Sequence, residues 1–102
     1  MSRLDQLAKM LQTDADDVFL NFALAMEYVK ANRYEEALAQ FTRVTELDPK
    51  YVAAWFRKAD LLVTLHRHAE ARQVYQDALT AAESAGDKHA AQKVREALAL
   101  LG

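Results

Sequence analysis

Apolar residues recur every three to four positions along most of the chain, which is the spacing of one face of an α-helix. The clearest example is EEALAQFTRVTELDPK, which runs from Glu35 to Lys50. Its apolar positions are Ala37, Leu38, Phe41, Val44 and Leu47. Pro49 has no N–H and disfavours helical geometry at the residue before it, so the helix is predicted to end at about Leu47 or Asp48.

The start of this helix is predicted near residue 33. Glu35 and Glu36 fall in its first turn, where carboxylates complement the positive end of the helix dipole. Asn32 and Glu35 have the spacing of a capping box. A second helical pattern precedes it, beginning at Asp17 and ending at Asn32, a residue that tolerates left-handed geometry. The two patterns predict antiparallel helices joined by a short turn.

The helix pair recurs 34 residues later with side chains of matching size. The corresponding positions are Ala25 and Ala59, Tyr28 and Leu62, Ala37 and Ala71, Phe41 and Tyr75, and Val44 and Ala78. Small residues allow two helices to approach closely, and the bulky ones fill the space beside them. A helix-turn-helix period of 34 residues is typical of a stacked solenoid.

These positions resemble the motif of the tetratricopeptide repeat (TPR) family. Residues 18–51 match it at Leu24, Ala25, Tyr28, Ala37, Phe41, Val44 and Pro49, with Asn21 where the family prefers Trp. Residues 52–85 match it at Trp55, Ala59, Leu62, Ala71, Tyr75 and Ala78, with Lys58 in place of Leu and Glu83 in place of Pro. The resemblance implies an all-α fold, a right-handed α-solenoid of antiparallel helix pairs.

The two repeats are expected to lie within a single domain, residues 1–102, with a capping helix at each end. Apolar residues predict an N-terminal cap over residues 2–12 and a C-terminal cap over residues 87–101, which makes six helices in all. Without a proline at Glu83, the preceding helix should run on toward Ser84. Gly86 and Asp87 should then supply the helix stop and the next N-cap.

Composition narrows the class of protein. Only two Gly and one Pro among 102 residues leave little material for strand turns, which favours helices. A net charge of -2 argues against nucleic acid as a partner. The absence of Cys excludes disulfides and thiolate zinc sites, and MSRLDQLAKMLQ resembles neither a signal sequence nor a membrane span. A cytoplasmic protein without membrane contact is expected.

The resemblance also implies where a partner binds, because the first helix of each TPR pair lines a concave groove. The corresponding residues are Phe19, Phe22, Ala23, Met26 and Val29 in the first repeat and Ala53, Phe56, Arg57, Asp60 and Val63 in the second, and Lys30 adds a charge. The predicted function is binding of a protein or peptide in this apolar groove. Two alternatives stay open: a terminal helix covers these residues as core, or the same surface forms a homodimer.

Other chemistry finds little support. His66 and His68 offer two imidazoles to a metal, but two ligands make a poor site, so neither a metal nor a cofactor is expected. An enzyme is not expected either, since there is no Cys, no Gly-rich phosphate loop and Ser only at positions 2 and 84. The chaperone-tail carboxylate clamp of the family is disfavoured, because Phe22 and Met26 replace its first pair and only Arg57 could meet an anion.

Overall fold

A computed structural model describes residues 2–102, which form six α-helices and no strand. The chain falls into two compact units, Met1–Asp48 and Pro49–Gly102. The first unit contains α1 (Arg3–Thr13), α2 (Val18–Lys30) and α3 (Tyr34–Leu47). The second contains α4 (Val52–Thr64), α5 (His68–Ser84) and α6 (Lys88–Leu101). The predicted all-α class with six helices is confirmed.

In the first unit, α2 packs against both α1 and α3. Ala25 and Ala37 are fully buried, and Phe41 and Val44 are closed off from solvent beside them. A larger side chain at either alanine would push the helices apart, since protein interiors are packed as densely as organic crystals. The apolar face predicted for α3 is therefore the face that forms the core of this unit.

In the second unit, α5 takes the central place and packs against both α4 and α6. Ala59, Ala71 and Ala78 have no exposed surface, and the larger Leu62 and Tyr75 are buried with them. The 34-residue correspondence in side-chain size thus appears as two cores of the same design. From α6, Ala91 and Val94 are added to the second core.

The turns inside the two hairpins have the same hydrogen bonds, one repeat apart. Asn32 and His66 both have φ of 60°. At the first turn the N–H of Asn32 donates to Val29 O and that of Arg33 to Tyr28 O; at the second, the N–H of His66 donates to Val63 O and that of Arg67 to Leu62 O. This pair of bonds is the Schellman motif that ends helices at a left-handed residue. The prediction of left-handed geometry at Asn32 is confirmed.

The predicted capping box between Asn32 and Glu35 is wrong. Asn32 belongs to the end of α2, and its Oδ1 accepts a hydrogen bond from the hydroxyl of Tyr34 at 2.8 Å. The N-cap of α3 is Arg33, which makes no side-chain cap bond. Its guanidinium instead donates to both carboxylate oxygens of Glu36, at 2.8 and 2.5 Å, and these bonds lower the pKa of Glu36 below its ordinary value.

Asn21, which replaces the tryptophan preferred by TPR sequences, is buried and fully hydrogen-bonded. Its Nδ2 donates to Ala15 O at 3.0 Å and to Asp17 O at 2.8 Å, and its Oδ1 accepts from Gln40. Trp55, one repeat later, donates from its indole N–H to Pro49 O at 2.9 Å. Both side chains thus bind the carbonyl six residues earlier, so the substitution keeps the link between the helix and the turn before it.

Candidate functional site

The second unit contains a cleft of about 390 Å³ between α4 and α6. Side chains from the two helices line it, and α5 packs against both helices. The lining residues are Val52, Ala53, Phe56, Arg57, Asp60, Asp87, His89, Ala90 and Lys93. The cleft therefore combines an apolar surface with charged groups of both signs.

Phe56 supplies the aromatic part of the cleft and is half-buried. Its ring meets that of Tyr75 edge to face, with centroids 5.7 Å apart and an interplanar angle of 67°. The Nζ of Lys93 lies 5.5 Å from the centroid of the Phe56 ring, within the range of a cation–π interaction. Phe56 is thus held by α5 and contacted by α6, while part of its surface stays open.

Asp60 lines the cleft one helical turn after Phe56, and its carboxylate is tied to the core. The hydroxyl of Tyr75 donates to Asp60 Oδ1 at 2.5 Å. Burial, followed by this hydrogen bond and the nearby negative charge, raises the pKa of Tyr75 well above its ordinary value. The hydroxyl therefore stays protonated and remains a donor at physiological pH.

The positively charged side chains of the cleft have fewer contacts with the rest of the protein than the ring of Phe56 has. Arg57 and Lys93 are exposed, and neither makes an ion pair within residues 2–102. His89 adds an imidazole on the α6 side. Two cations beside a partly open phenyl ring give the cleft the chemistry to receive a carboxylate and an apolar side chain together.

The start of α6 fixes the position of its cleft residues. Gly86 has φ of +68°, and the carboxylate of Asp87 accepts a hydrogen bond from the N–H of Ala90 at 3.0 Å. This stop and N-cap agree with the prediction, as does the end of α5 at Ser84. Because Lys93 comes four residues after His89 and three after Ala90, it shares a face of α6 with both.

Of the predicted binding residues, Phe56, Arg57 and Asp60 come together in this cleft, with Ala53 beside them. The contribution of α6 was missed: His89, Ala90 and Lys93 line the cleft opposite α4, so Arg57 is accompanied by a second cation, Lys93. Their helical spacing at the start of a capping helix was visible in the sequence. The sequence did not show that α6 lines the cleft opposite α4.

The predicted residues of the first unit have varied surroundings. Phe19 is 75% exposed, whereas Phe22, Met26 and Val29 are half-buried. The ring of Phe22 meets that of Phe41 edge to face, with centroids 5.8 Å apart. Lys30 is exposed and lies 3.8 Å from Glu27. Phe22 is thus packed much as Phe56 is, and Phe19 is the residue with most of its apolar surface open.

His66 and His68, the two possible metal ligands, lie at the turn between α4 and α5. The rings of His66 and His68 are 6.0 Å apart between centroids. No group of three or more His, Cys, Asp or Glu side chains suited to a metal occurs in the part of the chain that the structure describes. Within the same residues, no helix is both long enough and apolar enough to cross a bilayer.

Comparison with known proteins decides the family. A family model described as tetratricopeptide repeat matches residues 22–88, which is well over half of the 102 residues. The chain belongs to the TPR family. A TPR repeat-containing protein of Pseudomonas aeruginosa is 33% identical over 91 residues, which cover 89% of this chain and 87% of that protein. The resemblance drawn from Leu24, Tyr28, Pro49 and their counterparts is confirmed.

Solved structures show the same TPR fold. A Bordetella parapertussis protein, known from a solution structure, is 28% identical and superposes with a TM-score of 0.84, over 99% of this chain and 88% of that one. The TPR2B domain of yeast Sti1, in a complex with pHsp70, is 20% identical with a TM-score of 0.86, over 96% and 78%. The second likeness concerns the fold alone.

Proposed function

We propose that this TPR protein is an interaction module and that the cleft between α4 and α6 binds a segment of another polypeptide. The observation that carries the proposal is the combination of a partly open Phe56 ring with two cations, Arg57 and Lys93, that make no ion pair within residues 2–102. TPR proteins are generally interaction modules rather than enzymes, and the yeast relative of the fold is seen in a complex with another protein.

The energetics favour a partner with both apolar and acidic groups. Burying one leucine- or phenylalanine-sized side chain is worth about 1.5–3 kcal/mol, whereas association costs roughly 4–15 kcal/mol. One apolar contact on Phe56 is therefore insufficient. A carboxylate near Arg57 and Lys93 adds charge-assisted hydrogen bonds, which are about twice as strong as neutral ones. We therefore expect a segment in which an acidic side chain lies close to an apolar one.

Selection from a random heptapeptide display library tests this proposal. The peptides that bind should combine Asp or Glu with a large apolar residue. Phe56→Ala should weaken the selected peptide about tenfold or more, and Lys93→Ala should reduce the dependence of its affinity on salt. Leu100→Ala and Lys88→Ala are matched controls, since they remove an exposed leucine and an exposed lysine of α6 outside the cleft.

Two results would contradict the proposal. One is a library in which no selected peptide loses affinity for the Phe56→Ala variant. The other is a library that yields basic peptides, because these would be repelled by Arg57 and Lys93. The affinity of the selected peptide for Phe19→Ala shows separately whether the exposed ring of the first unit contributes to binding.

Self-association competes for the same apolar surfaces and needs its own measurement. Sedimentation velocity over a dilution series should give one concentration-independent species if the cleft is reserved for a different polypeptide. A dimer that dissociates on dilution and is lost in Phe56→Ala would instead place a second copy of the chain in the cleft.

A further inference from the structure

Asp60 is the carboxylate of α4 in the cleft, and a buried side chain of α5 holds it in position. Its Oδ1 accepts a hydrogen bond from the hydroxyl of Tyr75 at 2.5 Å, and Tyr75 is only 4% exposed. An ionised carboxylate has about four acceptor positions, of which this bond uses one. Asp60 makes no ion pair within the described residues, although the cleft also contains Arg57 and Lys93.

The same positions in the first unit show that this arrangement is an addition to the TPR core. The residues one repeat earlier are Met26 for Asp60 and Phe41 for Tyr75. The aromatic pair is retained there, since Phe22 and Phe41 meet edge to face at 5.8 Å, as Phe56 and Tyr75 do at 5.7 Å. The packing therefore does not require the hydroxyl or the carboxylate.

We infer that Asp60 accepts a hydrogen bond from a main-chain N–H of the bound segment and that Tyr75 is the positioning residue for this contact. The inference rests on the proposed function, because it names a contact within the same cleft. A main-chain amide can donate to Asp60 without adding another positive charge to a cleft that already contains Arg57 and Lys93, as a lysine or arginine side chain would.

This contact would complement the charged ones. Arg57 and Lys93 recognise a side-chain carboxylate, which can reach them from many backbone positions. A hydrogen bond from one main-chain N–H to a fixed acceptor sets the register of the segment along the cleft. Asp60 would then determine which residue of the partner faces Phe56.

A double-mutant cycle between Asp60 and the peptide backbone tests the inference. The heptapeptide selected from the display library is synthesised with each main-chain N–H methylated in turn. One methylation should reduce binding to the natural protein about tenfold to a hundredfold, as expected for loss of a hydrogen bond to a charged acceptor. In Asp60→Asn and in Tyr75→Phe, the penalty for that one methylation should shrink to a few-fold.

The two variants are chosen to keep the fold. The side-chain amide introduced by Asp60→Asn would still offer an oxygen to the Tyr75 hydroxyl, and phenylalanine is the natural residue at the position that corresponds to Tyr75, Phe41. Asp77→Asn is the matched control, because Asp77 is a carboxylate of α5 that does not line this cleft. Urea unfolding of each variant shows that the protein is intact.

Each result decides between the alternatives. A methylation penalty that is the same in the natural protein and in Asp60→Asn overturns the inference but leaves the proposed function standing. Coupling of Asp60 to a basic side chain of the peptide instead of a main-chain N–H also overturns it. A library without any peptide that depends on Phe56 overturns the proposed function and this inference together.

Discussion

The hydroxyl of Tyr75 donates to the carboxylate of Asp60 across 2.5 Å, from the centre of α5 to the wall of the cleft. Burial is the main reason that the pKa of Tyr75 is raised above its ordinary value, and the bond to Asp60 adds to it. This hydrogen bond joins a buried residue of the second unit to the wall of the cleft. Its contribution to stability can be measured as a function of pH.

The raised pKa of Tyr75 predicts a loss of stability in alkali. A group whose pKa is higher in the folded protein contributes stability that is present below its unfolded value, near 10, and is lost as the pH rises through the folded value. The urea midpoint should therefore fall more steeply above pH 10 in the natural protein than in Tyr75→Phe. The absorbance of tyrosinate should also show that at least one tyrosine, Tyr75, resists ionisation until the protein unfolds. Simultaneous ionisation of all four tyrosines near pH 10 with an unchanged helical circular dichroism would contradict the assignment.

His66→Gly should stabilise the second unit. His66 has φ of 60°, a left-handed conformation that costs residues with a Cβ about 1–2 kcal/mol and glycine almost nothing. Part of this gain is offset by the greater freedom of glycine in the unfolded chain. The free energy of unfolding, measured in urea, should rise by about 0.5–1 kcal/mol. His66→Ala is the control, since alanine keeps the Cβ; equal stability of the two variants would argue against strain at this turn.

Asn21→Leu should destabilise the first unit despite adding apolar surface. The change removes the donor to the carbonyls of Ala15 and Asp17 and the acceptor for Gln40. Leaving such part-buried groups unpaired costs up to about 3 kcal/mol. Thermal unfolding measures the loss, with Gln12→Leu, an exposed amide of α1, as a control that should change little. A more stable Asn21→Leu protein would show that the network is dispensable.

The closeness of α4 and α5 predicts a sharp difference between two alanines of the same helix. Ala59 is fully buried and Ala53 is exposed. Ala59→Leu should cost about 1–3 kcal/mol of unfolding free energy through overpacking, whereas Ala53→Leu should change it by less than about 0.5 kcal/mol. Chemical unfolding of both variants makes the comparison. Equal effects would mean that the 34-residue match between Ala25 and Ala59 does not reflect helix contact.

The sequence predicted those features that depend on local chemistry. Helical spacing identified the buried face of α3, the ring of Pro49 explained its end, and Gly86 with Asp87 marked the boundary between α5 and α6. Matching side-chain sizes at a fixed period identified the family, because each helix pair builds its core from small and bulky side chains at the same positions.

Features that depend on tertiary geometry could not be predicted from the sequence. The predicted capping box was wrong because Asn32 belongs to the end of α2 and the next residue, Arg33, is the N-cap of α3. The sequence pattern does not separate these two roles when they fall on neighbouring residues. The bond from Tyr75 to Asp60 joins side chains 15 residues apart in different helices. Lys93 could be recognised as part of the cleft only after α6 was placed beside α4.

The central claim is that the cleft between α4 and α6 binds a polypeptide segment, and amide chemical shifts test it most directly. The heptapeptide selected from the display library is titrated into ¹⁵N-labelled protein. The largest shifts should occur at Phe56, Arg57, Ala90 and Lys93, and in Phe56→Ala the shifts of the other three should need at least about tenfold more peptide. Shifts confined to residues around Trp55, Thr80 and Ser84, which line a different pocket of the second unit, would contradict it.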